Sequence, residues 1–259
     1  MNTVTLIDNR TGKRYEMPIL SPTLGPDVID VRALYKETGM FTYDPGFTST
    51  ASCSSSITYI DGDKGELLYR GYNISDLANK KTYIDVCHLL LTGKLPCERE
   101  RAALDMELRK RAFIHEGLKG LINSFPDRAH PMAMMSSAVA ALSTFYFEHL
   151  NVNTAEDAQV MARRIIAKIP TLAAFTYRRS LGIPYIYPDI ERSFTENFLY
   201  MMRAYPGENL EIRDVEIRAL DTIFTLHADH EQNASTSTVR GVASTGANPY
   251  AAISDGIDA

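Results

Sequence analysis

A chain of 259 residues, 45% hydrophobic and 23% charged, can bury a large core and has the balance of an ordinary globular protein, which excludes the disordered and collagenous classes. Lys and Arg number 27 against 32 Asp and Glu, a net charge of -5, so no basic excess exists to neutralise a phosphate backbone and nucleic acid is not an expected partner. Cys53, Cys87 and Cys97 are odd in number and lack a C-x-x-C spacing, so a reducing, cytoplasmic setting is expected rather than a disulfide framework or a zinc site. The first residues do not read as a signal peptide, and no apolar run is long enough to suggest a membrane span.

In chain order, Val4 and Leu6 alternate and a return segment runs from Arg14 to Ile19 across Asn9-Arg10-Thr11-Gly12, which predicts a β-hairpin. Asp27 to Leu34 reads as a short helix or an extended connector, and Thr48 to Ser56 as an ordered loop or a linker. Ile57–Ile60 and Glu66–Arg70 flank Asp61-Gly62-Asp63-Lys64-Gly65 as a second hairpin. Turn chemistry is the expected role of Asp61 and Asp63, since the strand that follows lacks the Glu a calcium loop needs at its twelfth position.

From Ser75 the apolar spacing changes to three and four, as at Tyr83, Val86, Cys87, Leu90 and Leu91, and the rest of the chain reads as helices. Pro96 opens one reaching about Phe113, Pro131 sits in the first turn of another ending near Leu150, and Thr154 caps a third with Glu156 and Asp157 in its first turn. Thr195 to Arg203 and Ile212 to Ala228 give two more. The Pro131 helix is apolar around most of its circumference, so it is buried on several sides or meets a partner chain. The sequence thus divides into a β-rich segment, residues 1–70, and a helical portion, residues 71–259.

One polar cluster stands out, from Leu226-His227-Ala228-Asp229-His230-Glu231-Gln232-Asn233 to Arg240. The apolar run Val215 to Leu226 before it suggests that both histidines arrive at the end of a buried helix, on one helical face. Imidazoles at that spacing can bind metal, orient a carboxylate or be satisfied within the core. Metal is disfavoured, since no second histidine follows His230-Glu231 at zincin spacing. A helix-end buttress suits His227, and a role at an anionic small-molecule pocket suits His230, with the small residues after Asn233 as a flexible rim.

This segment closely resembles the oxaloacetate-site motif of the citrate synthase family. Phe41 to Ala51, Ile57 to Gly65 and Tyr69-Arg70-Gly71 are similar to the bacterial branch with an N-terminal β-rich extension. The resemblance implies a mainly α fold: large-domain helices after a small β-rich segment, with the small catalytic domain absent. It implies an acyltransferase that condenses acetyl-CoA with oxaloacetate to citrate and CoA, no cofactor, and a homo-oligomer, dimer or hexamer, with the Pro131 helix and Arg163 to Tyr177 as dimer-forming helices. His230 resembles the oxaloacetate-contacting histidine, His227 a structural one, and Asn233 and Ser235 supporting neighbours. Arg111, Tyr146, Arg164 and Lys168 resemble an allosteric NADH site of the branch, although basic side chains on helices are more often simply solvated. The family continues from the part like Asn248-Pro249-Tyr250 into a Gly-Pro-x-His-Gly motif that these residues do not contain. The expectation is therefore an N-terminal portion whose catalytic residues lie beyond Ala259 and which is inactive alone. A 2-methylcitrate synthase portion, a non-catalytic dimerisation or regulatory module, and a metal-dependent hydrolase using His227, Asp229 and His230 are the competing readings.

Overall fold

The computed structural model describes residues 2–147 and 154–259, which form two compact units, residues 1–59 and 60–259. In the first unit, β1 (Thr3–Asp8) and β2 (Lys13–Leu20) pair antiparallel from Thr3↔Pro18 to Asp8↔Lys13, as the alternation predicts. Gly12 closes the turn at a φ of 71°, where a side chain would be strained. Asp27 to Leu34 is a connector: Pro26 precedes it, and the β-branched Val28–Ile29 add a short β3 against β2 before α1 (Leu34–Thr38) begins. The Asp44 carboxylate accepts from the Thr48 and Ser49 N–H groups and the Thr50 hydroxyl, which orders the start of the Ser/Thr-rich stretch.

The second unit opens within a sheet of order β4 (Thr58–Asp61), β5 (Glu66–Tyr69), β6 (Tyr72–Asn73). Asp61 accepts from the Lys64 N–H and pairs with its ammonium at 2.8 Å, which is turn chemistry. Helices follow: α2 (Ile74–Lys80), α3 (Tyr83–Thr92), α4 (Glu98–Arg111), α5 (Gly117–Ser124) and α6 (Pro131–Phe145). After them come α7 (Ala155–Leu181), α8 (Phe194–Arg203), α9 (Asp214–Leu226), α10 (Ala234–Ala243) and α11 (Pro249–Asp258). Caps explain the starts. Thr82 and Asp85 exchange hydrogen bonds at α3, and Thr154 accepts from the Asp157 N–H at α7. Helix α4 starts later than the Pro96 reading because Cys97 is its N-cap, its N–H held by Glu100 at 2.9 Å. The expected end of the Pro131 helix at Leu150 lies outside the described residues.

Helix α7 is the axis of this unit. One side of it joins α5, α6 and α11 in a core containing Leu118, Ile122, Val139, Leu142, Leu172, Phe175 and Tyr250. The other meets α3, α4 and α8 through Ile84, Cys87, Leu104, Leu108, Ala167 and Phe194. The apolar circumference of α6 is thus largely accounted for inside one chain.

Arg178, fully buried in the last turn of α7, has no carboxylate partner among the described residues but donates to four carbonyls. Its Nη1 reaches Met201 and Met202 at 3.0 Å, its Nη2 reaches Ala204 at 2.7 Å, and its Nε bonds the Pro184 oxygen. These include the orphan carbonyls at the end of α8. Arg178→Leu should therefore destabilise the chain by about 3 kcal/mol or more, since buried acceptors lose their donors; a urea midpoint close to that of the parent would refute this.

Candidate functional site

Helix α9 presents two unlike faces. Inward, the Asp221 carboxylate accepts from the Tyr83 N–H and the Thr195 hydroxyl, both at 2.7 Å, tying α9 to α3 and α8, and burial pushes its pKa up. Phe224 packs on Tyr83 and Phe198 beside it. Outward, Val215, Ile223 and Leu226 are exposed by 55%, 50% and 37%, which corrects the reading of this run as a buried element.

His227 terminates α9. Its Nδ1 lies 2.9 Å from the Ile223 carbonyl, which can only accept, so Nδ1 is the donor. The helix ends before His230, so the two imidazoles do not share a helical face; their ring centres are 5.8 Å apart across a loop, and both are exposed. Among the described residues the His230 side chain has no hydrogen-bond partner.

The loop is held from several directions. The Tyr69 hydroxyl donates to the Asp229 carbonyl at 2.9 Å and accepts from the Asp229 N–H at 3.2 Å. The Ile60 N–H donates to Glu231 Oε1 at 2.8 Å, and Glu231 itself takes a left-handed φ of 59°. Asn233 is the N-cap of α10, accepting from the Thr236 N–H at 2.8 Å. The small residues after it are accordingly a helix rather than a flexible rim, because that cap nucleates one. Ser235 sits in the first turn, its carbonyl close against Gly256 of α11. Arg240 reaches back one face of α10 to Gln232 Oε1 at 2.7 Å. Tyr69, Glu231 and Arg240 thus shape the site; the sequence shows a Tyr-Arg-Gly strand end but not that its phenol meets a peptide 160 residues away.

A second cluster gathers Arg111, Tyr146, Arg164 and Lys168. Lys168 Nζ lies 4.6 Å and the Arg164 guanidinium 5.3 Å from the Tyr146 ring centre. Lys168 is buried and donates to the Arg111 carbonyl at 2.9 Å and to the Phe113 carbonyl, so it is not the solvated surface lysine of the bland reading. Burial first, then the Arg164 and Arg111 charges, depress its pKa from 10.5 to about 8. Arg111 itself pairs with Glu107 at 3.1 Å, and Arg164 Nη1 is a buried donor without a partner among the described residues.

A family model for the citrate synthase C-terminal domain matches residues 46–259. The chain belongs to the citrate synthase family. Citrate synthase of Helicobacter pylori is 54% identical over 265 residues, covering 99% of this chain and 62% of that relative. The chain therefore spans about three fifths of that relative's length. A crystal structure of citrate synthase from Pyrobaculum aerophilum aligns with a TM-score of 0.73 at 32% identity, covering 93% of this chain and 57% of that one. A ternary complex of Thermoplasma acidophilum citrate synthase with carboxymethyl coenzyme A and oxaloacetate aligns with a TM-score of 0.75 at 27% identity, covering 83% and 55%. The mainly α architecture is that of these relatives.

The Lys168 environment has a pH signature. Between about 8 and 10.5 the unfolded chain keeps a proton the folded chain has released, so stability rises with pH through that window; below it the buried charge is carried in full. Urea unfolding at pH 7.5 and 9.5 should show this rise in the parent and its loss in Lys168→Met; equal pH slopes for the two proteins would contradict the assignment.

Proposed function

We propose that this chain supplies one wall of the oxaloacetate site of a citrate synthase acting by condensation of acetyl-CoA with oxaloacetate to citrate and CoA. The observation that carries the reading is the family match over residues 46–259, which includes the histidine loop. In this reading His230, whose imidazole has no other hydrogen-bond partner among the described residues, donates to an oxygen of oxaloacetate. The N–H groups at the start of α10 and the Arg240 guanidinium add a positive field suited to a dicarboxylate. His227, committed to the Ile223 carbonyl, orients the loop end, while Asn233 and Ser235 fix the first turn of α10.

Methyl-proton abstraction needs an enolate held in a water-excluded setting, because donors open to water stabilise developing charge far less. His230 is exposed, so the 259 residues by themselves are expected to bind oxaloacetate without catalysing condensation. Titrating oxaloacetate into the chain should shift the His230 imidazole resonance, and His230→Ala should weaken binding by about tenfold, the equivalent of one charge-assisted hydrogen bond. An unresponsive His230 would overturn the site, and citrate formed by the chain alone would overturn the inactivity.

The Arg111, Tyr146, Arg164 and Lys168 cluster is proposed as the dinucleotide site, where a ring, a guanidinium whose Nη1 has no partner among the described residues and a depressed lysine can meet an adenine and a phosphate. Fluorescence titration should show NADH binding that Arg164→Ala reduces by about tenfold, as expected for a lost phosphate contact; no NADH binding by the parent would remove the site. A cytoplasmic homo-oligomer, dimer or hexamer, completes the proposal.

A further inference from the structure

The two tethers of the α9–α10 loop fall on either side of His230. Asp229 is held by both its amide and its carbonyl to one oxygen, the Tyr69 hydroxyl, at 3.2 and 2.9 Å. Glu231 is held through its carboxylate by the Ile60 N–H, and it adopts a left-handed backbone that a non-glycine residue disfavours. A residue strained in this way persists only where its surroundings over-determine it. The Tyr69 ring can impose the constraint because it is fully buried among Leu77, Val86 and Leu89 at the end of β5, with Ala228 of the loop packed against the same cluster. The phenol therefore acts as a rigid post standing in the core, and burial keeps it protonated as a donor.

We propose that Tyr69 is a positioning residue of the oxaloacetate site: its hydroxyl holds the two peptide groups on either side of the Asp229 Cα and so fixes the backbone from which His230 projects. This rests on the reading of His230 as the substrate-contacting histidine. Without the hydroxyl, the Asp229 peptide can rotate, Glu231 can relax towards the right-handed region, and the imidazole loses its aim while the aromatic core is kept.

Tyr69→Phe tests this, since it removes one oxygen and leaves the ring. In the 259-residue chain, amide hydrogen exchange of residues 228–232 should quicken by about tenfold, the loss of about one net hydrogen bond, while α6 and α7 keep their protection. In the same variant the oxaloacetate dissociation constant, followed through the His230 imidazole resonance, should rise about tenfold. Unchanged exchange at 228–232 overturns the proposal, as does faster exchange with unaltered oxaloacetate affinity. If the parent's His230 ignores oxaloacetate, the substrate reading fails instead, and the exchange result alone decides whether Tyr69 fixes the loop.

Discussion

The close approach of α11 to α10 is the constraint on which the histidine site depends. A Cβ built on Gly256 would stand 2.5 Å from Val239 Cγ2 and 3.2 Å from the Ser235 carbonyl, so the two helices pass at a distance that only hydrogen at this position permits. The other side of α11 is locked to α6 by a buried hydroxyl pair, Ser136 and Ser254, 3.0 Å apart, with the Ser254 hydroxyl also within 2.8 Å of the Ser136 carbonyl. Helix α11 thus carries the position of α6, fixed in the core by α5 and α7, outward to the first turn of α10. Asn233 starts α10 and His230 lies three residues before it, so α11 sets the position of the helix at one end of the histidine loop, while Tyr69 and Ile60 hold the loop itself.

Two buried cations in the same helix show how differently burial can be used. Arg178 is satisfied by four carbonyls, and its planar fork matches the splayed end of α8 and the Pro184 oxygen. Lys168, three turns earlier, has two carbonyls and, among the described residues, no carboxylate, and it faces two like charges. Both carbonyls lie at or just past the end of α4, so Lys168, like Arg178, satisfies acceptors at a helix end, but it does so as a desolvated charge beside two others. Arg178 is therefore the better compensated of the two, and one turn from Lys168 the Nη1 of Arg164 has no partner among the described residues.

Much of this architecture was legible from local chemistry. Thr154 with Asp157 announces a helix start because its side chain answers a backbone group only a few residues away. The two hairpins were legible for the same reason. Helix α5 was not, since its eight residues carry two glycines, and the direction of α9 was misread because the run Val215 to Leu226 is apolar on both faces. Periodicity reports that apolar residues recur, not which stripe meets the core; here the buried side is marked by a carboxylate, Asp221, whose partners Tyr83 and Thr195 come from distant helices. His227 was legible as a helix-end residue, whereas the bracketing of Asp229 by Tyr69 was not, because it exists only after β5 and α9 have been packed together.

The exposed stripe of α9 and the open histidine pair belong together physically. Val215, Ile223 and Leu226 follow one another at helical spacing on the water side and lead to His227. On the proposed reading, a hydrogen bond from His230 to a carboxylate competes there with water at high dielectric, where polar contacts gain little. The same contact beneath an apolar cover would operate at a much lower dielectric, and covering the three side chains would itself favour closure through the area removed from water. On the reading proposed above, a ligand at this open face gains little until water is excluded, and the tethered loop matters because it orders His230 in advance of binding.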